Sequence, residues 1–110
     1  MTGGTGAAMT KNEKPGRDEA LYQAILSLEN LEECRRFLSD LCTVAELRAM
    51  EQRMEVAMLL SEGMIYNDIL ERTGASSATI SRVNRALQYG ADGYRAVLPR
   101  VKERLGGHGV

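Results

Sequence analysis

The 110-residue chain has no tryptophan, a single phenylalanine, two cysteines, two prolines and one histidine. Each scarcity removes a class of function. The histidine, His108, lies in a glycine-rich tail, so no Ser-His or Cys-His pair can be assembled from ordered segments. Cys34 and Cys42 are eight residues apart, near two helical turns, with no second cysteine pair and no nearby histidine to complete a zinc set. They read as reduced residues packed on one buried face. The neighbouring carboxylates Glu32 and Glu33 read as a polar helix face. The sequence thus predicts no enzyme, no metal and no cofactor. No apolar run reaches the roughly 18 residues a membrane span needs, which predicts no membrane partner. The N-terminal MTGGTGAAMTKNEKPG also lacks the apolar core of a secretory signal, so a cytoplasmic protein is expected.

Aliphatic side chains and six methionines supply the apolar volume, and 44% hydrophobic content over this length suits one domain of packed helices. Strand-like alternation is absent. Residues 1–16 are expected to form a disordered arm, residues 17–105 the domain and residues 106–110 a disordered tail. A first helix is predicted over 18–28, with Leu21, Ile25 and Leu28 at helical spacing. Asn30 and Glu33 approximate a capping box that opens a second helix carrying Leu31, Cys34, Phe37, Leu38 and Leu41. Thr43 and Glu46 repeat the device ahead of a long third helix, whose expected buried stripe is Leu47, Met50, Met54, Ala57, Met58 and Leu60. Gly63 is placed to end it in a left-handed cap. A last segment over 92–105 contains Pro99, which should kink or restart the helix.

The most informative stretch is 69–87, ILERTGASSATISRVNRAL. Two short helices meeting near a right angle need a turn residue that tolerates a left-handed backbone, and Gly74 supplies it. Ile69, Ile80 and Val83 are spaced to point inward, one from the first helix and an i, i+3 pair from the second. That leaves Ser76, Ser77, Ala78, Ser81, Arg82 and Arg85 on the opposite face, short at the helix start and cationic farther along, as suits entry into a major groove. The position after Ile69, usually small so that the second helix can approach, is Leu70. Any helical hairpin with a glycine turn shares part of this pattern.

The formal net charge of −1 hides an asymmetry. Residues 1–71 hold 7 basic and 13 acidic side chains, whereas residues 72–110 hold 7 basic and 2 acidic ones. The segment with the candidate reading helix is therefore cationic, as phosphate contact requires. The bland alternative is that Arg72, Arg95, Arg100, Lys102 and Arg104 form an ordinary solvated surface. The apolar stripes of the first three helices exceed what a two-helix unit can cover, which predicts a homodimer rather than a monomer with a modest core. A two-fold axis would set two reading helices about 34 Å apart, in successive major grooves.

Together these residues resemble the Trp repressor superfamily, especially its Trp-repressor-related YerC/YecD group. The resemblance rests on Gly74-Ala75 followed by Ala78-Thr79-Ile80-Ser81-Arg82. It is supported by Thr43, Glu46, Arg53 and Gly63 upstream and by Tyr89-Gly90-Ala91-Asp92-Gly93-Tyr94 downstream, and it covers residues 21–98. It implies an all-α, six-helix fold with a helix-turn-helix in an intertwined homodimer. The implied function is a sequence-specific, double-stranded-DNA-binding transcriptional regulator, a repressor, acting on a palindromic operator. The resemblance places Ser76, Ser77, Ala78, Thr79 and Ser81 near bases and Arg82 and Arg85 near phosphate or guanine. Water-mediated readout would suit such short side chains, a mode for which the Trp repressor is itself the standard example. Each serine has an equally good structural reading as a cap or surface residue.

The resemblance also outlines an effector pocket at Thr43, Arg53, Arg82 and Val83. Arg53 and Arg82 match the two arginines that hold the ligand in tryptophan-binding members. Val83, however, stands where those members have a glycine that leaves room for the indole, and Ala86 replaces their ligand-contacting serine. The effector is left unidentified and tight tryptophan binding is not expected. The competing reading is a helical protein-interaction module that kept the fold and lost specific DNA binding.

Overall fold

A computed structural model describes residues 16–106, which fall into two compact units, one ending at Leu41 and one beginning at Cys42. Residues 1–15 and 107–110, and with them most of the expected arm and tail and His108, lie outside the described residues. Among the described residues there are six helices and no strand, in line with the predicted all-α class.

The first unit contains α1 (Arg17–Leu26) and α2 (Leu31–Leu41). The first helix ends earlier than its apolar spacing predicts. Ser27 is its C-cap, and the Ser27 hydroxyl donates to the Ala24 carbonyl at 2.7 Å, satisfying one of the last orphan acceptors. Asn30 caps α2 as predicted, its side-chain oxygen accepting the Glu33 N–H at 2.8 Å. The reciprocal half differs from the sequence expectation. The Glu33 carboxylate reaches one residue farther back and accepts the Glu29 N–H at 2.9 Å. No residue of either helix is buried, and Leu21, Tyr22, Ile25, Leu26, Leu31 and Leu41 are exposed. Cys34 and Cys42 are both free and half-buried.

The second unit holds α3 (Val44–Ser61), α4 (Tyr66–Thr73), α5 (Ser77–Tyr89) and α6 (Gly93–Arg104). The capping box at its start is complete. The Thr43 hydroxyl accepts the Glu46 N–H at 3.0 Å and the Glu46 carboxylate accepts the Thr43 N–H at 2.8 Å. At the other end Gly63 takes φ +90°, and the Met64 N–H donates back to the Leu59 carbonyl at 3.1 Å, closing the last turn.

The predicted stripe of α3 holds at Ala57 and Met58, with Met54 and Leu60 packed at the edge of the core, but Met50 is exposed and Leu47 only half-buried. Four consecutive residues, Val56, Ala57, Met58 and Leu59, are buried instead. A helix covered on one side buries every third or fourth residue, so four in a row mean that this end of α3 is enclosed all round. Val56 and Leu59, off the predicted stripe, are buried for that reason. The helix packs against both α4 and α5, and α5 packs in turn on α6.

Pro99 lies well inside α6, yet the helix runs through it without a break. The predicted restart is therefore corrected. Tyr94, Leu98 and Val101 recur on one face and pack on the core on both sides of the proline, which carries the helix across its missing donor.

Candidate nucleic-acid interface

The helix-turn-helix forms as its spacing requires. Gly74 is the C-cap of α4 with φ +73° and ψ 5°, and its N–H donates to the Leu70 carbonyl at 3.0 Å. Ile69 and Ile80 are fully buried and Val83 is 1% exposed, so the three residues predicted to face inward form the joint between α4, α5 and the rest of the core. Burying side chains of this size is worth about 1.5–3 kcal/mol each, enough to hold two helices of only 8 and 13 residues that would not persist alone. Leu70 is half-buried at the edge of the same core, and the helices close over it despite its size.

With that face inside, Ser76, Ser77, Ala78, Ser81, Arg82 and Arg85 are all exposed, and Thr79 is half-buried. Ser76 is also the N-cap of α5. Its hydroxyl accepts the Thr79 N–H at 3.1 Å and lies 3.1 Å from the Thr79 hydroxyl. These two side chains are thus tied to each other at the helix start, while Ser77 and Ser81 project without that duty. Arg82 and Arg85 follow on the exposed surface one turn farther along, giving α5 a hydroxyl-bearing start and a cationic middle.

Of the effector residues suggested by resemblance, Thr43 and Arg53 lie far apart along α3. Thr43 caps α3 and its hydroxyl is engaged by Glu46. Arg53 lies ten residues on, about 15 Å along the helix axis at 1.5 Å per residue. Arg53 is half-buried and Arg82 exposed, whereas Val83 is enclosed in the core and fills the interior beneath α5. Among the described residues no group of three or more His, Cys, Asp or Glu side chains is placed to hold a metal ion.

Three residues that organise this region carry little signal in the sequence. Thr73 donates its hydroxyl to the Ile69 carbonyl at 2.8 Å and accepts the Ala75 N–H at 3.0 Å, bracing the turn around Gly74. Gln52, on α3, donates its side-chain amide to the Thr73 carbonyl at 3.3 Å. Arg95, on α6, donates to the Leu87 carbonyl at 3.0 Å and to the Gln88 carbonyl at 3.3 Å. A guanidinium there complements the negative end of the α5 dipole. Arg95 is accordingly a clasp on the C-terminal end of α5 rather than a member of a loose solvated surface.

The family model described as Trp repressor protein matches residues 18–102, spanning all of α2 to α5 and nearly all of α1 and α6. The chain belongs to the Trp repressor family. Members of this family are DNA-binding regulators rather than enzymes. A curated relative, the uncharacterized protein YerC of Bacillus subtilis (strain 168), is 55% identical over 85 residues, which cover 77% of this chain and 82% of the relative. Among solved structures, a TrpR-like protein from Eubacterium eligens ATCC 27750 is 57% identical and superposes with a TM-score of 0.69, covering 80% of this chain and 87% of that one. A candidate Trp repressor from Staphylococcus aureus is 43% identical with a TM-score of 0.70, covering 84% and 88%. The six-helix arrangement is thus a Trp-repressor-like fold, as the sequence resemblance implied.

Proposed function

We propose that the protein is a sequence-specific DNA-binding transcriptional repressor that acts as a homodimer on a palindromic operator. The observation that carries this reading is the division of α5 into two faces. Ile80 and Val83 lock one face into the core, while Ser77, Ala78, Ser81, Arg82 and Arg85 stand exposed on the other. Serine hydroxyls at the start of a helix can meet base edges directly or through water, and the arginines behind them can reach phosphate or guanine. The cap pair Ser76 and Thr79 then fixes the end of the helix that enters the groove.

The dimer is supported by the helices outside the core. Neither α1 nor α2 buries a residue, six large apolar side chains on them are exposed, and Val44 and Met50 of α3 are exposed too. Interlocking two copies would remove such surface from water at roughly 25 cal/mol per Å² of apolar area. Two-fold symmetry would also match a palindrome.

Selection of bound fragments from a random-sequence duplex pool tests the reading, with the mass of the protein in solution measured alongside. A palindromic consensus and a dimer mass are expected. Equal recovery of every fragment, or none at moderate salt, would point instead to an interaction module that has kept the fold without specific DNA binding.

A further inference from the structure

The turn between α4 and α5 is fixed partly from outside the helix pair. The last carbonyls of a helix have no partner within it and must find one elsewhere. In α4 the Leu70 carbonyl takes the Gly74 N–H, and the Thr73 carbonyl takes the half-buried side-chain amide of Gln52. Thr73 is held at its hydroxyl as well, between the Ile69 carbonyl and the Ala75 N–H. Ala75 is buried at 3% exposure, and the next residue, Ser76, is the N-cap of α5. Gln52 therefore grips the chain from α3 four residues before the helix that presents Ser77 and Ser81.

We propose that Gln52 is a positioning residue for sequence discrimination: by tying the Thr73 carbonyl to α3, it fixes the pitch at which α5 leaves the turn. The proposal rests on the reading of α5 as the DNA-contacting helix. Base-edge hydrogen bonds demand geometry held to a fraction of an ångström, whereas attraction to phosphate tolerates displacement. Ser77 and Ser81 have one rotatable bond to their hydroxyl carbon and cannot extend to follow a shifted helix. Arg82 and Arg85 can. Loosening the turn should consequently erode discrimination while leaving non-specific attraction in place.

The test compares wild-type protein with Gln52→Met, which keeps the stem and loses the donor, and with Gln52→Glu, which keeps the shape and sets an acceptor against the carbonyl. Affinity for the selected operator and for a scrambled duplex of the same length is measured across a salt series. The expected result is a fall in the operator-to-scrambled ratio of roughly three- to tenfold in both variants, the equilibrium worth of one hydrogen bond. Affinity for scrambled DNA and the salt slope should stay unchanged in Gln52→Met, which adds no charge. A purely structural Gln52 would lower the melting temperature without moving the ratio, and that result overturns the proposal. An equal loss on both duplexes with a shallower salt slope overturns it too, since it would make Gln52 a phosphate contact. A wild-type protein without sequence preference would remove the proposed function and this role together. An undiminished ratio in the variants of a sequence-selective wild type removes the role of Gln52 alone.

Discussion

Replacing Gly74 with alanine isolates the backbone's contribution to the helix-turn-helix. The residue holds φ +73° in the left-handed region, and a Cβ added to it would meet no heavy atom within 4 Å. Crowding therefore contributes nothing, and the whole cost is conformational. An L-residue forced into that region loses about 1–2 kcal/mol. Each kcal/mol corresponds to a fall of about 4–8 °C in Tm for a domain of this size, read at fixed protein concentration by circular dichroism. Asparagine tolerates the left-handed region better, so Gly74→Asn should lose less than Gly74→Ala.

Gly63 provides an internal control. It has φ +90° and the same open surroundings, but it closes α3 and does not lead into α5. Gly63→Ala should show a similar thermal loss with operator affinity intact at a temperature where both variants are folded. Gly74→Ala should show the thermal loss and a weakened affinity as well. An unchanged Tm for Gly74→Ala, a loss well above about 3 kcal/mol, or an asparagine variant worse than alanine would refute the conformational reasoning.

Three further outcomes are expected. Arg85→Ala should weaken binding to all duplexes alike and reduce the salt slope by about one unit, seen by fluorescence anisotropy, if the guanidinium meets phosphate; a change confined to one base position would assign it to readout. L-Tryptophan should produce no binding heat in calorimetry at micromolar concentration, because Val83, enclosed in the core, stands where the resemblance has the glycine that leaves room for an indole; a micromolar isotherm contradicts that account. Gly90→Ala should cost about 1–3 kcal/mol in urea denaturation, since the added Cβ would lie 2.5 Å from the Ala86 carbonyl oxygen, which belongs to the backbone of α5 and cannot swing aside; an unaffected midpoint would show that the end of α5 can yield.

The features legible in the sequence are those governed by local rules. Gly74, Thr43 with Glu46, and Gly63 announce themselves because a left-handed turn or a capping box needs particular residues at fixed spacing. Ile69, Ile80 and Val83 are readable because a short helix covered on one side keeps strict periodicity. The same rule misleads on α3, where enclosure from several directions buries Val56 and Leu59 off the stripe. A different rule, that proline breaks a helix, misleads at Pro99, because the packing of Leu98 and Val101 on the core outweighs one lost donor. Gln52 and Arg95 could not be found by spacing at all. Their partners lie 21 residues away in one case and 7 and 8 in the other, and only the packing of α3 against α4, and of α6 against α5, brings donor and carbonyl together.

The central claim, that the exposed face of α5 reads the major groove as one half of a symmetric pair, is tested most directly by guanine N7 methylation interference on a selected fragment. N7 lies on the major-groove edge, so a methyl group there blocks an approaching helix. The account predicts two clusters of interfering guanines, related by a two-fold axis and about one helical turn apart. Tight binding without interference at any guanine in the consensus, or a single unpaired cluster, would contradict it.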